Sequence, residues 1–296
     1  PRSLYPHSLD TNTPLVASFT YDGKAKTYGH NGVDEVQTAS GSLTLSGGMT
    51  IADLTSGSWE FSGDIGEIII YRGVLRAGER AALYKYLMQK WSVPKAPPLV
   101  FVDGNSLSTA YGLSPHVGWF EQMTNLFTTP FRAVNNAVAS RVTSQMLGAN
   151  GPGSGAYVHA SRPDNINFGW EVSNAIHCGT NGVDAAQEYA NYGRMVRSNG
   201  VKNIAFTVVD RVSTNLSWRA EAAVANAWIR TNWSNYADAL VDVAAIPSLG
   251  TNGAATNLTY FTDGVHLTAA GYSLIAVEAT KALRRLATTN IIFNAE

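Results

Sequence analysis

Between Ser92 and Pro98 the chain reads Ser-Val-Pro-Lys-Ala-Pro-Pro, and the apolar pattern changes character across it. Proline fixes φ, has no N–H to give to a ladder or a helix, and pushes the residue before it toward extended backbone. Prolines packed this closely cannot continue either kind of element. Residues 93–98 therefore read as a linker, with one unit over residues 1–92 and another over 99–296.

Upstream, residues 14 to 71 read as short strands separated by turn signals. Leu15 to Tyr21 runs into Asp22-Gly23, His30-Asn31-Gly32 marks a second turn, and Ser42-Leu-Thr-Leu45 alternates with the strand period before Gly47-Gly48. Trp59-Glu-Phe61 and Ile65 to Tyr71 complete the set. Leu75, Leu83, Leu87 and Trp91 then recur at near-helical spacing with charges between them, which predicts one amphipathic helix. The words Phe61-Ser-Gly-Asp-Ile-Gly-Glu-Ile-Ile-Ile-Tyr71 and Glu79 to Trp91 resemble the closing portion of a concanavalin A-like or laminin-G-like sandwich, its last core strand and trailing helix. The resemblance covers about half of such a sandwich. It implies an all-β partial jelly roll, lectin-like in character, whose missing strands lie upstream of Pro1 or in another chain.

Downstream, strands and helices alternate. Leu99-Val-Phe-Val102 is a short apolar run of the kind buried in a parallel sheet. Residues 115–127 read as helix, 131–134 as strand, 140–147 as helix, and 171–178 as strand. Residues 185–198 read as helix, 203–209 as strand, and 219–235 and 269–286 as long helices. Alternation of this length predicts a three-layer α/β/α unit with a mostly parallel sheet. In such sheets ligands sit at the carboxyl ends of the strands, here the loops at 103–106, 135–140, 179–182 and 260–266.

Several function classes drop out on composition. The formal net charge is −1 and no basic run is dense enough for a nucleic-acid footprint. Cys178 is the single cysteine, so neither a disulfide framework nor a cysteine metal cluster is available. On a strand, it reads as a small buried hydrophobe. No apolar run approaches the ~18–20 residues of a bilayer span. Gly151-Pro-Gly-Ser-Gly155 lacks the lysine of a phosphate loop, no His-Glu-x-x-His or acidic loop suggests a metal, and no Gly-x-Ser-x-Gly elbow is present. No cofactor and no metal are expected.

Four motifs carry chemistry. In Asp103-Gly-Asn-Ser-Leu107 a strand ends, glycine permits a sharp turn, and Ser106 stands at the rim among free N–H groups; taken alone, it reads first as a helix N-cap. In Tyr260 to Tyr272, Asp263 precedes His266 by three residues, so the carboxylate can accept the imidazole Nδ1–H while Nε2 faces outward. The alternative there is a solvated aspartate and a structural histidine. In His177-Cys-Gly-Thr-Asn-Gly182 the Asn181 amide could donate to an oxyanion, or Asn-Gly could simply be a turn. In Val134 to Ser144 the Ser140 N–H could be a further donor.

Taken in order, a strand ending Gly-x-Ser, a loop into a helix, a strand ending Gly-x-Asn, and then Asp-x-x-His resemble the SGNH hydrolases, also called GDSL esterases. The similarity runs from about Val100 to Ala287. It implies a flavodoxin-like sheet with Ser106 as nucleophile, His266 as general base and Asp263 as its orienting partner. It implies an oxyanion hole built from the Ser106 N–H, the Ser140 N–H and the Asn181 side chain, so that Asn181→Ala lowers turnover about a hundredfold. Three positions depart from the family pattern. Asn105 stands where the family has aspartate, Ser140 where it has glycine, and Gly182 where an aspartate often follows the third-motif asparagine. A Cβ at position 140 costs about 1 kcal/mol or more if φ there is positive.

The resemblance implies a serine esterase acting through an acyl-enzyme. Beside a lectin-like module, an acetylated polysaccharide is the expected substrate, with O-acetyl groups removed from it. That pairing would suit a secreted bacterial enzyme or a phage tail component. A lipid or aryl esterase of the same fold, and a non-catalytic glycan-binding or virion protein, are the alternatives. Trp59, Trp119 and Trp170 could stack on sugar rings if exposed, or pack in the core.

Overall fold

A computed structural model describes residues 14–21, 25–31, 33–38, 64–71, 73–93, 98–127, 132–147 and 165–287. The chain divides into two units, residues 1–96 and 97–296.

In the first unit, β1 (Ala17–Tyr21), β2 (Ala25–His30) and β3 (Val33–Thr38) form an antiparallel meander in that order. His30 pairs with Val33 across a two-residue connection, and Asn31 there has φ 44°. Asn-Gly is favoured in such hairpins because asparagine tolerates positive φ. Asn31 also extends the β1–β2 pairing: its N–H donates to the Val16 carbonyl and its Oδ1 accepts from the Val16 N–H, both at 2.8 Å. Helix α1 (Ala77–Lys90) starts where Glu79 Oε2 accepts from the Arg76 N–H at 2.6 Å. Tyr84 of α1 is buried with Val16 and Val93, and its hydroxyl bonds Ser18 Oγ. The helix approaches β2 so closely that a Cβ on Gly29 would stand 1.5 Å from the Tyr84 hydroxyl.

Residues 65–71, expected as a core strand, are not paired as one among the described residues. This segment joins no ladder among the described residues, and Ile68 and Ile70 are 51% and 68% exposed. It is held instead by Glu67, which accepts from Lys90 Nζ and Trp91 Nε1 at the end of α1, each at 3.1 Å. A strand exists only through its neighbours, and apolar composition alone does not supply one. The described residues thus give one three-stranded sheet and a helix, not a sandwich. Asp22-Gly23, Ser42–Leu45 and Trp59–Phe61 lie outside the described residues.

The second unit runs β4 (Leu99–Gly104), α2 (Trp119–Thr124), β5 (Arg132–Asn135), α3 (Thr143–Leu147), β6 (Ile166–Trp170), α4 (Ser173–His177), α5 (Gly182–Ser198) and β7 (Lys202–Phe206). It continues with α6 (Trp218–Asn232), β8 (Ala239–Val241), α7 (Pro247–Gly250) and α8 (Ala269–Ala287). The five strands are all parallel, ordered β5-β4-β6-β7-β8. Alternate residues of the buried strands serve opposite faces. Val100, Val102, Phe168 and Phe206 pack with Trp119, Phe120 and Met123 of α2 and Ile275, Ala279 and Leu283 of α8. Leu99, Phe101 and Ala205 face Tyr189, Tyr192 and Val196 of α5 and Trp218 and Ile229 of α6. These are the three layers.

Two elements differ from expectation. The third strand is β6, residues 166–170, and the stretch read as strand at 171–178 holds the five-residue helix α4. Ile-Asn-Phe-Gly-Trp carries a polar residue and a glycine, and the strand is nonetheless wholly buried; Asn167 Nδ2 donates to Asn203 Oδ1 of the next strand at 2.8 Å. Strand β8 has only three residues, too few for a period to show. The helix expected over 115–127 is confined to α2. The chain leaves β4 for β5 on one side and returns to β6 on the other, so the loops after these strands meet at a topological switch point.

Candidate active site

Gly104 ends β4 against the next strand; a Cβ there would stand 2.5 Å from the Trp170 carbonyl. Asn105 Oδ1 then accepts from the Leu107 N–H at 2.9 Å, a local turn that presents Ser106 at the sheet's carboxyl edge. Ser106 is 9% exposed.

The residues 261–267 form a closed loop. Phe261 and Leu267 make an isolated bridge, and the Thr262 N–H donates to the His266 carbonyl at 2.8 Å. Inside it Asp263 Oδ1 accepts from the N–H groups of Val265 and His266 at 2.9 and 2.7 Å. That leaves Oδ2 for the ring: it lies 2.7 Å from His266 Nδ1. The other ring nitrogen, Nε2, lies 3.0 Å from Ser106 Oγ. Burial acts to raise the Asp263 pKa, but the backbone and ring N–H groups of His266 and the Val265 N–H outweigh it and hold the carboxyl at about 2. Asp263 is thus a carboxylate whose second oxygen fixes the tautomer that leaves Nε2 free to accept from the serine hydroxyl. The expected trio is brought together.

Ser140 sits in the loop after β5, exposed, with φ 65°. The positive φ that glycine would take without cost is therefore adopted by a residue with a Cβ. Val138 N–H donates to the Gly104 carbonyl at 3.0 Å, so this loop is sewn directly to the strand that carries Ser106. Neither the Ser106 N–H nor the Ser140 N–H has a partner among the described residues.

Asn181 is placed elsewhere. It is the N-cap of α5, its Oδ1 accepting from the Asp184 N–H at 2.9 Å and its Nδ2 donating to Asp184 Oδ2 at 2.6 Å. No hydrogen bond joins it to Ser106, Ser140 or His266 among the described residues. The correction follows from the position of β6. Its carboxyl end is at Trp170, so the loop that reaches the switch point is 171–174, not 179–182.

That loop holds residues the motifs did not single out. Glu171 is buried; its Oε2 accepts from Thr143 Oγ1 at 2.6 Å and its Oε1 from the Asn174 N–H at 2.7 Å. Burial raises its pKa, opposed by those donors and by the Asn105 side chain. Asp103, also buried, bonds Arg141 and accepts from the Tyr192 hydroxyl at 3.0 Å. Burial raises the Asp103 pKa and Arg141 opposes the rise. Asn174 Nδ2 donates to the Arg141 carbonyl at 3.0 Å, which links the third loop to the second. The only sequence signals were charged residues at the ends of apolar strands. Tyr111, 54% exposed, places its ring centroid 4.8 Å from that of His266.

No family model matches the chain, and no curated protein matches it. Solved structures do. A member of the lipolytic protein G-D-S-L family from Veillonella parvula superposes with a TM-score of 0.53 at 14% identity, covering 63% of this chain and 98% of its own. Over that 63% the chain has the fold of a G-D-S-L lipolytic protein. TesA (TM-score 0.49, 16% identity, 64% of this chain and 99% of its own) and the psychrotrophic esterase EstA from Pseudoalteromonas sp. (0.49, 12%, 64% and 98%) are further matches.

Within this G-D-S-L fold, Trp119 and Trp170 are core residues, Trp119 edge-on to Phe120 and Phe168 and Trp170 stacked on Phe206, and offer no sugar platform. Trp59 lies outside the described residues. Cys178, expected to be buried in a strand, is exposed at the end of α4. His177 beside it bonds Ser213 Oγ through Nδ1 at 2.8 Å. Among the described residues no group of histidine, cysteine and carboxylate side chains is arranged to hold a metal, and no helix is long and apolar enough to cross a membrane.

Proposed function

We propose that the chain is a serine esterase that hydrolyses acyl esters through a Ser106 acyl-enzyme. The supporting observation is the continuous bonding from Asp263 Oδ2 through the His266 ring to Ser106 Oγ, at 2.7 and 3.0 Å. In this reading His266 Nε2 takes the Ser106 proton as Oγ attacks the ester carbonyl. The oxyanion is held by the N–H groups of Ser106 and Ser140, and His266 returns the proton to the departing alcohol oxygen. Water, deprotonated by the same nitrogen, then releases the acid.

The acyl group proposed is acetyl and its carrier a carbohydrate. What supports this is the open setting of the triad: the Asp263 side chain is 52% exposed, and Tyr111 presents a ring beside His266 on which a sugar face can stack. A long acyl chain would need an apolar tunnel to bury it. The test is hydrolysis of p-nitrophenyl acetate and octanoate by the wild type beside Ser106→Ala. Acetate turnover lost in Ser106→Ala, with octanoate slower than acetate, is expected. Equal rates in the two proteins would discard the esterase reading, and faster octanoate turnover would discard the acetyl assignment.

A further inference from the structure

Three arginine side chains that follow or face the strands of the second unit are matched to carboxylates. Arg141 bonds Asp103, Arg219 Nε lies 2.9 Å from Asp210 Oδ1, and Arg230 Nε lies 2.8 Å from Asp242 Oδ2. Arg211 differs. It is 8% exposed, yet no carboxylate bonds it among the described residues. Among the described residues its Nη1 donates to neutral acceptors, Ser173 Oγ at 3.3 Å and Asn174 Oδ1 at 3.0 Å, and its buried Nε has no partner. Nη2 makes no hydrogen bond among the described residues, which leaves it as the edge for a ligand. Taking a guanidinium out of water is costly unless an anion meets it.

Its location is also particular. Arg211 follows β7 at the carboxyl edge of the sheet, and the next residue, Val212, donates its N–H to the Gly264 carbonyl at 2.7 Å, inside the loop that carries Asp263 and His266. On the other side Nη1 holds the loop after β6. The charged group therefore sits between two of the loops that frame Ser106. Burial lowers the Arg211 pKa, and Cys178, Glu171 and Asp263 oppose that fall without bonding it. The fork geometry of a guanidinium suits a carboxylate.

We propose that Arg211 is an anion subsite that selects substrates bearing a carboxylate near the scissile ester, that is, O-acetylated acidic sugars. This rests on the esterase reading above for turnover, but binding tests it separately. The experiment compares an O-acetylated methyl glucuronoside and an O-acetylated N-acetylneuraminate, each with its uncharged carboxamide, as substrates for the wild type and Arg211→Met. In parallel, the deacetylated acids and amides are titrated calorimetrically into the wild type and into Ser106→Ala.

A wild-type preference of about tenfold or more for at least one acid over its amide, expressed in KM and abolished in Arg211→Met, is expected. Acid and amide treated alike by the wild type, in turnover and in binding, would overturn the subsite. If Arg211→Met does not fold, the wild-type comparison decides alone. Should no acetyl ester be hydrolysed, the esterase reading fails, whereas acid-selective binding would still stand for Arg211.

Discussion

The guanidinium of Arg141 bonds the carboxylate of Asp103 in the interior, the two side chains being 2% and 1% exposed, and so ties the loop that carries Ser140 to the strand that carries Ser106. Arg141 also donates to the Asn136 carbonyl at 3.2 Å, and Tyr192 holds the second Asp103 oxygen. Removing one partner leaves an unmatched buried charge. Asp103→Ala is therefore expected to cost about 3–5 kcal/mol in urea unfolding. The pair Asp103→Leu with Arg141→Met should recover part of that stability but not the esterase activity, since the Ser140 loop would no longer be anchored. Full stability in Asp103→Ala alone would contradict the assignment.

Ser140 pays for its φ of 65°. Ser140→Gly removes the contact between Cβ and backbone and keeps the N–H, although glycine is also freer in the unfolded chain. The balance is expected to be a stabilisation of about 0.5–1 kcal/mol, read as an upward shift in thermal midpoint. A lower midpoint would mean that the serine side chain makes a contact worth more than the strain.

Asn181 caps α5, so Asn181→Ala should lower stability by about 1 kcal/mol. Turnover of p-nitrophenyl acetate should stay far above the hundredfold loss expected of an oxyanion donor. A hundredfold loss with unchanged stability would return Asn181 to the site.

Asp263 titrates near 2, below the ordinary aspartate value, so its charge is complete throughout the neutral range. A depressed carboxyl contributes stability that is present above its unfolded pKa and is lost as the pH falls through about 4 toward 2. Any acid limb in a kcat/KM profile above pH 5 must then come from another group. Asp263→Asn should reduce kcat on the order of 10³–10⁴-fold by presenting the wrong histidine tautomer. A loss of only a few-fold would show that the backbone bonds alone orient the ring.

Glu171 runs the other way. Its folded pKa is raised, mainly by burial, so between the ordinary glutamate value and the raised one the folded chain binds a proton that the unfolded chain has released. Stability should fall as the pH rises from about 4 through the raised value, and acid should relieve it. Glu171→Gln is expected to flatten that part of the stability profile, and Glu171→Ala to cost about 2–3 kcal/mol by stranding the Thr143, Asn174 and Asn105 donors. An identical slope in wild type and Glu171→Gln would place the titration elsewhere.

How much of this was legible in the sequence depends on how far apart the partners lie. Asp263 and His266 are three residues apart, and the turn that joins them is closed by the backbone between them. The Gly104-Asn105-Ser106 turn and the Asn31-Gly32 hairpin are local in the same way. Strand and helix alternation showed because burial of one face imposes a period on contiguous residues. The segment 65–71 has the composition of a core strand and finds no strand partner among the described residues. Strand β6 had the neighbours without the composition, and its true position shifts the third loop by eight residues, from 179–182 to 171–174, and so away from Asn181.

What the sequence by itself determined is therefore the α/β alternation and the local geometry of each motif. Only the tertiary structure decided which loops share the switch point, that Ser106 meets His266 across 160 residues, and that Asp103 finds Arg141 while Arg211 finds no carboxylate among the described residues. Those facts depend on strand order and on the lengths of the segments between strands. A buried charge leaves no periodic trace in the sequence. Its partner is chosen by the register of β4 against β5 and β6, a property of the assembled sheet.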